Sequence, residues 1–329
     1  MTLEQDTSRI KDPAGKRRFQ RRLLSWFDGY KRDLPWRQNS DPYRVWLSEV
    51  MLQQTRVAAV TDHYQKFLRR FPSIEKLASA RESSVLAAWS GLGYYRRARM
   101  LHIAAKKIVK EHGGKLPESA EDLRALPGIG RYTAAAIASI AFDEPVAVVD
   151  GNVERVLQRV QGKNLAGEGL WRAAAELLSQ SRPGDFNQAL MELGATLCLP
   201  RQPQCLLCPV SEVCATRGEL PRRGNQTRQA KREIHYALAC RDGAVFLVKR
   251  PETTTLMPGM WELPETTGNG TTTAWMIVRH SITVTDYVVR VMQGMPPNDT
   301  DGRWVRKSRV RALPLTGLAR KILRAAKII

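Results

Sequence analysis

The chain has 329 residues, enough for two domains, and 43% of them are hydrophobic. No apolar run approaches the ~18 residues of a membrane span, and five cysteines in this length do not describe a disulfide-stapled secreted protein. Lys and Arg outnumber Asp and Glu by 52 to 32, a net charge of +20. Such an imbalance suits a polyanion, nucleic acid before an anionic membrane, because no strongly amphipathic anchor stands out.

In chain order, the basic cluster Lys16, Arg17, Arg18, Arg21 and Arg22 comes first. No apolar core follows it, so it reads as a solvated helix face and not a secretory signal, with a nuclear or organellar address left open. From Phe19 to about Gln180 the spacing predicts helices throughout, as in Leu86–Trp89 and Leu101–Val109. Short breaks at Phe71-Pro72, Gly113-Gly114 and Leu126-Pro127-Gly128 separate them. Tyr43–Val60 is predicted as one helix, with Glu49 among Val45, Trp46, Leu47, Val50, Met51 and Leu52. Apolar surroundings raise a carboxyl pKa and suit a general acid; a place on the polar face of the helix is the plainer alternative. Gln53-Gln54, and Tyr94-Tyr95 after Gly91-Leu92-Gly93, add flat groups able to wedge into a base stack.

Leu126-Pro-Gly-Ile-Gly130, followed by Arg131-Tyr132-Thr133, is a glycine turn opening a helix. With Asp122–Ala125 ending the helix before it, the segment predicts a helix-hairpin-helix whose backbone amides receive a phosphate. Gly128 and Gly130 permit the close approach; an ordinary helix–helix turn is the alternative. Next, Asp150-Gly151-Asn152 opens the helix Val153–Val160, and Asp150 is either a helix cap or a carboxylate projecting into a cleft. Cys198, Cys205, Cys208 and Cys214 then fall within 17 residues. Zinc sites pair C-x2-4-C with a second pair ~12–20 residues away, whereas this quartet is compact and contains no histidine. The spacing therefore favours a four-iron, four-sulfur cluster over zinc or a disulfide knot. Thr216–Arg232, with six basic residues, reads as a solvated linker. Beyond it Tyr236–Cys240, Ala244–Val248 and Tyr287–Met292 predict short strands, and Leu318–Ile329 a closing helix.

Taken together, Leu34-Pro-Trp-Arg37, Trp46-Leu-Ser-Glu-Val-Met-Leu-Gln-Gln-Thr55, Gly91-Leu-Gly-Tyr-Tyr95, Leu126-Pro-Gly-Ile-Gly130, Asp150-Gly-Asn-Val153 and the cysteine spacing resemble one family. It is the helix-hairpin-helix DNA glycosylases carrying an iron–sulfur cluster, and within them the MutY-type adenine glycosylases. The resemblance implies a mainly α glycosylase domain over residues 1–215 with its 4Fe-4S loop, a basic linker at 216–232, and an α+β Nudix-like domain at 233–329 that reads 8-oxoguanine. Gly259-Met-Trp-Glu-Leu-Pro264 resembles the Nudix strand and turn, while the R-E-x-x-E-E helix of Nudix hydrolases is absent between Pro264 and His280.

Further implications concern single residues. Glu49 protonates adenine, Asp150 stabilises the sugar cation, and Tyr132 and Asn152 orient Asp150 and water. Arg37, Glu192 and Leu52 hold the flipped base, Gln54 and Tyr94 fill the stack, and Gly128 and Gly130 bind backbone phosphate. Cys198, Cys205, Cys208 and Cys214 bind the cluster. Endonuclease III-type lyases carry a lysine at the position of Tyr132, and the lyase-type and thymine-mismatch relatives lack Glu49. The expected enzyme is thus a monofunctional, monomeric adenine glycosylase acting on duplex DNA with A opposite 8-oxoguanine or G, cytoplasmic in a bacterium. A bifunctional lyase and a non-catalytic damage binder are the alternatives. The base-reading loop aligns at Ile282-Thr283-Val284, or shifted to His280 and Ser281; the first alignment lacks the family's aromatic and histidine.

Overall fold

The structure is a computed structural model that describes residues 10, 12–220, 230–254, 256–267, 274–282, 285–296 and 300–329. Thr283 and Val284 lie outside the described residues. Packing divides the chain into two compact units, Met1–Val57 with Ala104–Arg223, and Ala58–Ile103 with Gly224–Ile329.

The first unit is helical. Helix α1 (Pro13–Tyr30) starts where the Asp12 carboxylate accepts from the Gly15 amide at 2.7 Å, with Pro13 in the first turn. Helix α2 (Pro42–Leu52) starts the same way, on Asp41 and Pro42. The single helix predicted over Tyr43–Val60 is two. It stops at Leu52, Gln54 turns left-handed at φ 55°, and α3 (Val57–Arg70) begins afresh. A left-handed residue cannot extend an α-helix, and the Gln53 amide donates to Thr133 Oγ1 at 3.0 Å, which fixes the break.

Helices α4 (Ile74–Ala78), α5 (Glu82–Trp89) and α6 (Arg96–His112) lead to the hairpin pair α7 (Ala120–Arg124) and α8 (Arg131–Phe142). Then follow α9 (Gly151–Gln161), α10 (Gly167–Leu177) and α11 (Pro183–Thr196). In the first unit's core, Phe19, Leu23 and Phe27 of α1 meet Val153, Val156 and Leu157 of α9 and Phe186, Leu190 and Leu193 of α11. Burial of that many large side chains, at ~1.5–3 kcal/mol each, fixes how α9 and α11 lie together. Helix α8 buries Ala134, Ala135, Ala136 and Ala138, and such small side chains let α2 and α11 pack closely against it.

In the second unit, Phe67 of α3 meets Trp89 edge-on at 5.9 Å. Strand β1 (Ala230–Leu238) runs parallel to β6 (Thr285–Gln293), which pairs antiparallel with β5 (Met276–Ile282). A second sheet surrounds β3 (Ala244–Lys249), flanked by β2 (Cys240–Arg241), β4 (Trp261–Glu262) and β7 (Arg303–Arg306). After α12 (Lys307–Val310), helix α13 (Gly317–Ala325) closes this core with Leu318, Ile322 and Leu323 against Val245, Leu247 and Val289. The predicted strands fall within β1 to β3 and β6, whereas β5 and the parallel pairing were not read from spacing. Among the described residues no helix is long and apolar enough to cross a membrane.

Candidate active site

The first unit brings Glu49, Tyr132, Asp150 and Asn152 together. Glu49 sits on the buried side of α2 at 6% exposure, not on its polar face. Its Oε2 accepts from the Tyr132 hydroxyl at 2.6 Å. Burial pushes its carboxyl up to about 7, opposed by that hydrogen bond and assisted by the charge of Asp150. The Tyr132 phenol is itself held well above its ordinary range by burial and by the two carboxylates.

Asp150 caps α9: Oδ1 accepts from the amides of Asn152 at 2.9 Å and Val153 at 2.7 Å, while Oδ2 accepts from Asn152 Nδ2 at 3.0 Å. Capping and proximity to Glu49 are thus joint properties of one residue. Asn152 is tied down in turn, its Oδ1 accepting from Arg155 Nη2 at 2.9 Å. The same guanidinium donates to the carbonyls of Gly194 at 2.6 Å and Cys198 at 2.8 Å. Gly194 is required here, because a Cβ would stand 2.6 Å from that of Asn152. Arg155 and Gly194 escaped the sequence reading; an arginine one helical turn after Asn152 is the only local signal.

Arg37 and Glu192 meet each other. Glu192, at 1% exposure, accepts from Arg37 Nη2 at 2.9 Å and from Arg32 Nε at 2.6 Å and Nη2 at 2.8 Å. Burial would raise its pKa, but the hydrogen bonds and charges of Arg32 and Arg37 prevail and hold it near 2. Arg32, also missed in the sequence, completes this cluster. Gln54 is exposed and Leu52 partly so.

At the hairpin, Gly128 takes φ 77°, a backbone that favours glycine. Gly130 caps α8 in an extended conformation, and nothing stands within 4 Å of where its Cβ would be. Arg131 next to it pairs with Glu168 and lies over the Trp171 ring at 4.0 Å.

All four clustered cysteines are free thiols lining one cavity. Among the described residues no three His, Cys, Asp or Glu stand close enough to hold a single metal ion. Arg159 donates to Cys198 Sγ at 3.3 Å and to the carbonyls of Leu199 and Pro200 at 2.7 and 3.1 Å. Burial, with the neighbouring thiols, pushes Cys208 up to about 11 and raises Cys205 as well. Cys198 and Cys214 line the same cavity as the two raised thiols, and four soft sulfur donors are the kind of set that iron binds.

A family profile described as "HhH-GPD superfamily base excision DNA repair protein" matches residues 47–178. The mouse adenine DNA glycosylase is 43% identical over 319 residues, covering 78% of this chain and 62% of the relative. The human adenine DNA glycosylase is 49% identical over 223 residues, 63% of this chain and 41% of the relative. The chain thus spans less than two thirds of either relative's length. Among solved structures, an endonuclease III–DNA complex shares the fold, with TM-score 0.53 and 20% identity over 61% of this chain and 96% of that one. A thermostable thymine-DNA glycosylase superposes with TM-score 0.58 and 32% identity over 62% of this chain and 98% of that one. With nearly the whole of that glycosylase matched, and the hairpin and both carboxylates inside the first unit, the chain belongs to the HhH-GPD superfamily of base excision DNA repair proteins.

Proposed function

We propose that the chain is a monofunctional adenine DNA glycosylase acting on A opposite 8-oxoguanine or G in duplex DNA. One observation carries this reading: a buried carboxyl with a pKa near 7, Glu49, hydrogen-bonded to a tyrosine where the lyases carry lysine. Adenine inside a duplex is out of reach, so it is flipped into the site first. Tyr132 occupies Oε2 of Glu49, which leaves Oε1 to carry the proton to adenine N7. The C1′–N9 bond then breaks and its electron pair leaves with the base. Asp150, anchored by three donors, faces the resulting oxocarbenium-like sugar with its negative charge, the two-carboxylate logic of glycoside hydrolysis. Water adds to C1′, and its proton returns to the Glu49 carboxylate. Arg32, Arg37 and Glu192 form the rigid wall beside this site; with its oxygens taken by both arginines, Glu192 acts on the flipped base through Arg37.

Cys198, Cys205, Cys208 and Cys214 would hold a 4Fe-4S cluster, whose iron–thiolate bonds fix the loop that Arg159 and Arg155 grip. Protein purified anaerobically is expected to be brown, with about four irons per chain; colourless protein with one zinc would overturn the cluster. Residues 233–329 we assign as a Nudix-like domain reading the opposite base, with Thr283 as its candidate contact.

The test is single-turnover cleavage of duplexes with A opposite 8-oxoguanine, G and C, followed by alkali. Excision from the first two is expected, and the rate should fall as pH rises through about 7, because the acid loses its proton there. Borohydride should trap no more than a trace of covalent complex, since Tyr132 has no amine. Strand cleavage without alkali, together with a strong adduct, would favour the lyase reading instead.

A further inference from the structure

The loop joining α5 to α6 presents Tyr94, the residue read as a wedge for the base stack. Three of its residues have left-handed backbone: Gly91 at φ 110°, Gly93 at 71° and Tyr94 at 47°. For tyrosine that conformation is disfavoured and persists only where the surroundings impose it. Tyr94 remains 44% exposed, while Tyr95 beside it is 3% exposed. Tyr94 is thus offered outward by a loop whose next residue is buried.

What holds the buried side belongs to the same compact unit but lies more than 200 residues away in sequence. The Leu315 carbonyl accepts two hydrogen bonds, from the Tyr95 hydroxyl at 2.8 Å and from Ser90 Oγ at 3.0 Å. Arg320 of α13 donates to the same Ser90 oxygen at 2.8 Å. These contacts grip the loop at both ends, since Ser90 precedes Gly91 and Tyr95 follows Tyr94. The carbonyl itself cannot wander. Leu315 forms a bridge to Trp261 of β4, flanked by Trp261 N to Pro314 O at 2.8 Å and Thr316 N to Trp261 O at 2.9 Å. Within the loop, Trp89 Nε1 donates to Gly93 O at 3.1 Å, and the Arg97 guanidinium lies 5.3 Å from the Tyr94 ring centre.

We propose that Ser90, Tyr95 and Arg320 are positioning residues through which the sheet-bearing part of the unit, at Leu315, sets the conformation of the Tyr94 wedge. The sheet domain therefore contributes to base extrusion as well as to any reading of the opposite base. This inference rests on the glycosylase reading above for its effect on rate, but not for its effect on the loop.

The experiment is a double-mutant cycle on the full chain with Tyr95→Phe, which keeps the buried ring and removes one donor, and Tyr94→Ala. Loss of a buried hydrogen bond of this kind should slow single-turnover excision by about tenfold. Duplex affinity should scarcely change, and the melting temperature should fall by no more than a few degrees. In the Tyr94→Ala background, Tyr95→Phe should add nothing, because its effect passes through the wedge; equal slowing in both backgrounds would overturn the proposal. Ser90→Ala supplies an independent second variant with the same expected dependence on Tyr94. Amide hydrogen exchange at residues 91–94 should quicken in both variants. Unchanged exchange there would sink the inference whatever the enzyme excises, whereas quickened exchange in a chain that excises no adenine would sink only the functional reading.

Discussion

Glu49→Gln is expected to abolish adenine excision while leaving duplex binding nearly intact. The substitution keeps the size of the side chain and an oxygen for Tyr132 to donate to, but removes the proton. Losing a positioned general acid costs roughly 10²–10⁴ in rate, and adenine is a poor leaving group. The same substitution should stabilise the fold at neutral pH. Because burial raises the Glu49 pKa to about 7 from 4.5, the folded chain holds a proton that the unfolded chain has lost. Stability therefore falls as pH rises from about 4.5 through 7, and the carboxylate costs up to about 3 kcal/mol above that window. Urea denaturation of the two proteins at pH 8 should show the glutamine variant to be the more stable. An active variant, or one no more stable, would show that Glu49 is not the strained acid its surroundings describe.

The second large effect is expected at Glu192. Glu192→Leu would leave the Arg37 guanidinium buried without its carboxylate and Arg32 without its bidentate partner. Breaking a buried pair in this way costs ~3–5 kcal/mol, and the lower end applies because Arg32 is partly exposed. The pH dependence runs opposite to that of Glu49. With a folded pKa near 2, Glu192 contributes its stability above the unfolded value of 4.5 and loses it as pH falls from there towards 2. Denaturation midpoints of native protein and variant should accordingly draw together as pH falls from 4.5 towards about 2. A constant difference across that range would assign the loss to packing rather than to charge.

Local chemistry made much of this site legible in the sequence. A cap such as Asp150, a glycine turn such as 126–130 and a compact thiol quartet declare themselves within a few residues, because the groups that satisfy them are neighbours in the chain. Glu49 was legible as a choice between two faces, which only the packing of α2 against α8 could decide. Arg32 was not legible, since its partner Glu192 is 160 residues away and nothing in either neighbourhood encodes the pairing. The break at Gln54 was hidden for a related reason: the helical spacing continues through it, and the tertiary bond from Gln53 to Thr133 outweighs the local pattern. Parallel pairing of β1 with β6 leaves no turn signature between the strands, and Thr283-Val284 between β5 and β6 contains no glycine, proline or asparagine to announce a turn.

The second unit is assembled from two stretches, Ala58–Ile103 and Gly224–Ile329, with most of the first unit's sequence between them. On a ribosome adding ~5–20 residues per second, Leu315 follows Tyr95 by 220 residues, a wait on the order of ten seconds or more. Helices α3 to α5 emerge first and must spend that interval without the sheet that completes their unit. The first unit can close around Glu49 and Asp150 sooner, from residues up to 223. Newborn chains thus pass through a period in which Glu49 and Asp150 are in place but the α5–α6 loop is untethered, and any holdase that binds this protein should find its site on residues 58–103.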